Sequence, residues 1–210
     1  MQQQQNSPIL QSGAAIGADA VFHEMAKKHK HEIRNFVAYN QKAYVPENVV
    51  RLSEAQLKIA DPFLISATID LGRTASGHQY VQNLLRRSYY QVKASSAVFA
   101  VTDFEFRPCG LCKPLSQSVQ IRGGTAYACQ MFANMHKHQS GSEIAIPLYV
   151  YSQSDKKWFQ CLVKDKLLGW KEMSTAPQLP NNVGDVYTGI GSRELTPDGK
   201  MAIVKLYENV

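Results

Sequence analysis

Ser7-Pro8-Ile9-Leu10-Gln11 runs into Ser12-Gly13-Ala14-Ala15-Ile16-Gly17, and a helical pattern follows. Ala18, Val21, Phe22, Met25 and Ala26 share one face of it, with Glu24, Lys27 and Lys28 on the other. The stretch reads as strand, small-residue turn, helix. The same order returns twice. Val119-Gln120-Ile121 leads into Arg122-Gly123-Gly124-Thr125 and a helix from about Ala126 to His136. Val186-Tyr187-Thr188 leads into Gly189-Ile190-Gly191-Ser192-Arg193. A last helix follows, with Thr196 as N-cap and Pro197 at its first position, sending Met201, Ala202, Leu206 and Tyr207 towards the core.

Between these turns the periodicity supplies further elements. Ile33 to Tyr39 reads as a strand. Val81, Leu84, Leu85, Tyr89 and Val92 repeat at helical spacing. Ala97-Val98-Phe99-Ala100-Val101 is continuously apolar, as suits a strand buried on both faces of a parallel sheet. Ile144 to Tyr151 is another such run, and Lys156-Lys157 turns the chain into a hairpin partner, Trp158 to Val163. Residues 40–78 carry Pro46, Pro62, Gly72 and Gly77 and read as loops with one helix, near an amphipathic piece from Leu52 to Ile59. The stretch around Pro108 and Pro114 reads as a loop, and Pro177 to Gly184 as a long connection. Alternating strands and helices predict an α/β fold: a Rossmann-like, mostly parallel sheet with helices on both faces. One nucleotide-binding domain over 1–210 is expected, with residues 1–7 as a frayed lead-in.

The 210 residues are 44% hydrophobic and 19% charged, ordinary globular values. No stretch approaches the roughly 18 apolar residues that span a bilayer, and the first residues lack a signal peptide's basic and apolar segments. No membrane partner and a cytoplasmic location (host cytoplasm if viral) are expected. The net charge of +6 favours anionic partners. The cluster Lys27, Lys28, His29, Lys30 and His31 fits a solvated helix end as well as a phosphate patch. Cys109 and Cys112 form a CxxC without a second pair or histidines at ligand spacing, and His136 with His138 lacks a third ligand. No metal and no cofactor are expected.

At the carboxyl end of a parallel strand, backbone N–H groups and the positive end of the following helix face the crevice. A glycine there lets phosphate approach the backbone. The candidate ligand-binding set is therefore Ser12, Gly13, Gly17 and Asp19 in the first turn. Arg122, Gly123, Gly124 and Thr125 come from the second, and Gly189, Gly191, Ser192 and Arg193 from the third. The arginines offer charge-assisted hydrogen bonds. Each turn is also explained by tight strand-to-helix geometry alone; three together favour a ligand crevice. Arg86 and Arg87 read most simply as a solvated helix face near a helix end. Tyr127 reads as core, with base stacking as the alternative.

These segments resemble a known superfamily. Leu10 to Asp19 is similar to the "SGGAxGAD" segment of the Rossmann-like superfamily joining the Lonely Guy proteins to the DNA-processing protein A proteins (SLOG). Tyr187 to Arg193 resembles its first strand and "GxGSR" loop, and Gly123-Gly124-Thr125 its "GGT" turn. The likeness covers about residues 8–30, 81–151 and 185–208, and overall the chain resembles compact members found in phages and their hosts. The order differs: here the GSR strand closes the chain and the SGGAxGAD strand opens it, which looks like a circular permutation. The resemblance implies a Rossmann-like fold and one of several activities: N-glycoside cleavage of nucleoside monophosphates, single-stranded DNA binding, or recognition of nucleotide-derived signals. The Lonely Guy signature "PGGxGTxxE" ends in a catalytic glutamate, which Arg122 to Ala128 lacks.

A nucleotide or nucleotide-like small molecule is thus the leading expected partner. The first rival is a nucleotide N-glycoside or phosphate hydrolase, with Asp19, Asp103 and Glu194 as candidate carboxylates. The second is a nucleic-acid-binding module, which needs a basic stripe continuous with the crevice. A second copy of the chain is also left open as a partner.

Overall fold

The computed structural model describes residues 7–108, 117–136, 142–164 and 167–208. Cys109, Cys112, Pro114, His138 and the lead-in 1–6 lie outside them. The predicted α/β class holds: one eight-stranded, mostly parallel sheet carries the helices.

In chain order the elements are β1 (Ile9–Ser12), α1 (Ala18–Lys28), β2 (Glu32–Ala38), β3 (Val49–Leu52), α2 (Glu54–Ile59), α3 (Asp61–Asp70) and α4 (Gln79–Val92). Then come β4 (Ala97–Thr102), β5 (Phe104–Pro108), β6 (Gln117–Ile121), α5 (Thr125–Met135), β7 (Ile144–Ser152), β8 (Lys157–Lys164), β9 (Leu167–Glu172), β10 (Val186–Gly191) and α6 (Pro197–Glu208). The sheet order is β3-β2-β1-β10-β4-β7-β8-β9. From β3 to β7 in that order neighbours pair in parallel; β8 and β9 extend the sheet antiparallel, with β9 at the edge.

β4 shows how the layers are built. All its side chains are buried, and they alternate: Ala97, Phe99 and Val101 join one core, Val98 and Ala100 the other. The first core also holds Phe22 and Met25 of α1 and Ile203 and Leu206 of α6. The second holds Ala67 of α3, Leu85 of α4 and most of α5. Helices therefore cover both faces, α1 and α6 on one, α3, α4 and α5 on the other.

β10 lies in the middle of the sheet. Ile9 pairs with Val186, Leu10 with Tyr187 and Gln11 with Thr188, so the first and last strands are parallel neighbours, as the order of motifs predicts. They occupy the centre of the sheet rather than an edge. β1 and β2 lie on one side of β10 and β4 and β7 on the other; the helices after β1 and β10 pack on one face, those flanking β4 on the opposite face. The reversal between β10 and β4 is the switch point at which open α/β sheets form a crevice.

Residues 40–78 contain a strand and two helices, not loops and one helix. Ser53 starts α2 with a capping box, its Oγ accepting from Gln56 N–H while Gln56 Oε1 accepts from Ser53 N–H. Pro62 does not break a helix; it sits in the first turn of α3, where its missing N–H costs nothing. The stretch before Cys109 is a strand, paired antiparallel with β6 in a two-stranded ribbon. α6 starts as predicted, with Thr196 Oγ1 accepting from Gly199 N–H at 3.0 Å.

Candidate functional site

A cleft of about 490 Å³ opens at the carboxyl ends of β10 and β4, between α4 and α5. The loops after these strands must diverge there, because the connections from β10 and β4 run to opposite faces of the sheet. Asp19, Arg122, Gly123, Gly124, Thr125, Gly191, Ser192 and Arg193 line it, as do the carboxylates of Asp103 and Glu194. Ser12, Gly13, Gly17 and Gly189 do not.

Those four residues assemble the floor. Ser12 is fully buried, and its Oγ donates to Gly189 O at 3.0 Å. A Cβ on Gly189 would fall 2.6 Å from Phe22 Cδ1, so this glycine lets α1 press against β10. Gly17 has φ +90 and packs against the Ser192 and Arg193 carbonyls, while Ala18 N–H donates to Ser192 O at 3.0 Å. Gly13 gives its N–H to Asp19 Oδ2 at 3.1 Å and its carbonyl to Arg87 Nη1.

Asp19 is the hub. It is 4% exposed, and its carboxylate accepts from the backbone N–H groups of Gly13, Ala15 and Gly191. Burial pushes its carboxyl above the usual range; the Arg87 guanidinium and the backbone donors pull it down. Burial likewise lowers Arg87, against the pull of Asp19, with Arg193 adding like-charge repulsion. One side chain thus ties the SGAAIG and GIGSR turns together with a carboxylate of the chain's own. Arg87 sits in the middle of α4 and turns inward, and Arg86 pairs with Asp61 at 2.5 Å; neither belongs to a solvated face.

The second turn remains open. Gly123, with φ +69, and Gly124 have no crowding around a hypothetical Cβ. α5 begins where Gly123, Gly124 and Thr125 border the cleft; Tyr127 N–H is taken by Gly124 O at 3.1 Å, and the other N–H groups of the first turn have no intrahelical partner. Arg73 clamps this turn from behind, donating to Gly123 O at 2.8 Å and Ile121 O at 2.9 Å and pairing with Glu105 at 3.2 Å. Its guanidinium lies 5.4 Å from the centre of the Tyr127 ring, and Tyr127 is core. Ala128, at the place of the missing glutamate, also lines the cleft.

The rim is fixed by cross-strand ties. Ser192 N–H donates to Val101 O at 2.8 Å, and Ser192 Oγ to Thr102 Oγ1 at 2.9 Å. Asp103 Oδ1 accepts from Ser154 N–H at 2.8 Å. Gln153 accepts from Thr196 N–H and donates to Glu194 O, holding the loop before α6. Arg122, Arg193 and Glu194 make no side-chain hydrogen bond or ion pair among the described residues and remain available to a ligand. The basic cluster at Lys27 to His31 lies at the opposite edge of the sheet. There Lys27 pairs with Glu47 at 2.7 Å and His31 Nδ1 meets Tyr187 Oη at 2.8 Å.

Sequence reasoning missed Arg73, Gln91 and Gln153, each of which reaches the cleft or its turns from a distant segment. Among the described residues no His, Cys, Asp and Glu group is arranged to hold a metal ion, and no helix is long and apolar enough to cross a membrane. No protein-family model, curated protein or solved structure matches the chain.

Proposed function

We propose that the cleft binds a nucleotide or nucleotide-derived phosphate, with the phosphate against the amino end of α5 between Arg122 and Arg193. The supporting observation is the position of this open Gly123-Gly124 turn. It meets two unpaired arginines at the switch point between β10 and β4. The volume falls in the roughly 300–1,000 Å³ range of small-molecule sites.

The same reading includes membership of the SLOG superfamily in circularly permuted form. Counted from β10 and leaving out the outermost β3, the strands β2-β1-β10-β4-β7 stand in the order 3-2-1-4-5, five of the six positions of the classic dinucleotide-binding sheet. A permutation that moves the GSR strand from first to last leaves this arrangement intact.

A calorimetric titration of the purified chain with adenosine monophosphate, ADP-ribose and ribose 5-phosphate, beside Arg193→Ala, tests the proposal. Arg193→Ala should weaken binding by about ten- to a hundredfold while leaving the fold intact, since one charge-assisted hydrogen bond contributes about 1.5–3 kcal/mol. Equal affinity of the folded variant and the parent would place the anion elsewhere.

The free carboxylate of Glu194 favours one rival, hydrolysis of a nucleotide bond. With Ala128 replacing the signature glutamate, we expect no release of free base from nucleoside monophosphates. Turnover seen by chromatography and abolished by Glu194→Gln would instead establish an enzyme.

A further inference from the structure

Behind the rim the cleft continues as a slot. Val81, Leu84, Leu85 and Ser88 of α4 form one wall with Arg87 beside them, and Ile190 of β10 and Ala128 of α5 also line it. Gln91 closes the bottom. It lies ten residues beyond Val81, about 15 Å along the helix axis. Its main-chain carbonyl accepts from Thr188 Oγ1, three residues and about 10 Å down β10 from Gly191. Gln91 is 1% exposed and lines the cleft, yet its Nε2 has no hydrogen-bond partner.

A buried amide donor left unpaired costs about 1–3 kcal/mol. A leucine or methionine here would avoid that cost between apolar walls. The carboxamide is accounted for by an acceptor that arrives from outside and fits the slot. That acceptor must sit on a flat body with apolar faces and a polar edge, because aliphatic side chains line most of the slot while Ser88, Arg87 and Asp19 also border it. The body must also reach about 10 Å inward from a phosphate at the rim, the span of a ribose and a heterocycle.

Resting on the reading of the cleft as a nucleotide site, we infer that the slot takes the heterocyclic base of a mononucleotide and that Gln91 donates a hydrogen bond to a ring nitrogen or carbonyl of that base. Gln91 is then a specificity residue: it adds affinity for the base and none for the sugar phosphate. Apolar slots discriminate weakly between shapes, whereas a buried donor rejects any group that leaves it unpaired.

The test is calorimetric titration of the full chain with the adenosine, guanosine, cytidine and uridine monophosphates and with ribose 5-phosphate. Gln91→Met and Gln91→Glu are titrated in parallel, the latter keeping the shape while exchanging the donor for an acceptor. The parent should bind one nucleoside monophosphate more tightly than ribose 5-phosphate. Both variants should lose about five- to thirtyfold for that nucleotide and nothing for ribose 5-phosphate. Gln91→Met should also melt no lower than the parent, since it removes an unsatisfied donor. Equal affinity of the parent for nucleotide and ribose 5-phosphate, or unchanged nucleotide binding by the variants, overturns the role of Gln91 and leaves the phosphate site standing. Failure of all five compounds to bind overturns the nucleotide reading and this inference with it.

Discussion

Asp19 supplies the negative charge that the amides of Gly13, Ala15 and Gly191 would otherwise seek from a ligand. Removing its buried counterion should therefore be costly. Arg87→Met is expected to destabilise the fold by roughly 1–3 kcal/mol, read from chemical denaturation, because it removes the donor to the Gly13 carbonyl and the cation whose field favours the buried Asp19 carboxylate. Asp19→Asn keeps an oxygen acceptor and should cost less. The glycines divide in the same way. A Cβ on Gly191 would meet the Val101 carbonyl and lie 2.8 Å from Ala18 Cβ, so Gly191→Val should unfold the protein or lower its melting temperature by many degrees. Gly124 has its nearest neighbour, Leu85 Cδ2, at 3.8 Å, and Gly124→Ala should stay within about 1 kcal/mol of the parent. Ligand binding is then tested cleanly at Gly124 and not at Gly191. From sequence alone all the glycines look equivalent, since the atom that each would strike belongs to a segment far away in the chain.

α1 and β2 are joined through histidines, which gives their packing a pH dependence. Asn35 Nδ2 donates to Glu47 O at 2.8 Å and lies 2.9 Å from His23 Nδ1, so the His23 ring is held between α1 and β2. Burial lowers His23, and burial also lowers His31 beside Tyr187. A histidine lowered in the folded state binds its proton more readily when unfolded. Stability is thus fully present above the ordinary histidine value near 6.5 and is lost as pH falls below it. The melting temperature should drop as the pH falls below about 6.5, and His23→Gln should flatten part of that slope. The elements themselves were unequally legible. β4 and β7 announce themselves as apolar runs because both faces are buried. β3 (Val49-Val50-Arg51-Leu52) is a short edge strand with two exposed residues and no alternation to read. β5 alternates Phe104-Glu105-Phe106-Arg107, but its neighbouring prolines suggested a loop. The open GGT turn was legible in its glycines. Arg73, 50 residues from its Gly123 partner, and Gln91, on a helix whose pattern looks like ordinary core, were not.

At the scale of the molecule, the first and last described segments come together at one edge of the layers. Tyr207, near the end of α6, lies 5.5 Å from the His31 ring, and the adjacent Glu32 N–H donates to Pro8 O. A permutant that joins residue 208 to residue 7 through a short linker, and opens in the connection between Met173 and Asp185, should keep every strand pairing. We expect its stability, from urea denaturation, to lie within about 2 kcal/mol of the parent, with ligand affinity unchanged. A large loss would show that the connection is more than a tether.

The pairing of β1 with β10 also sets a clock. Ser12 and Gly189 are bonded across a sequence separation of 177, and the middle of the sheet is the last strand to be made. While the ribosome is at work, β1 and β4 each hold an unpaired inner edge, a template for other chains as much as for β10. The sheet closes only once the chain beyond residue 191 has emerged, so assembly is late, of high contact order and slow. A growing chain of this design gains from a chaperone in proportion to the time it waits for its own centre.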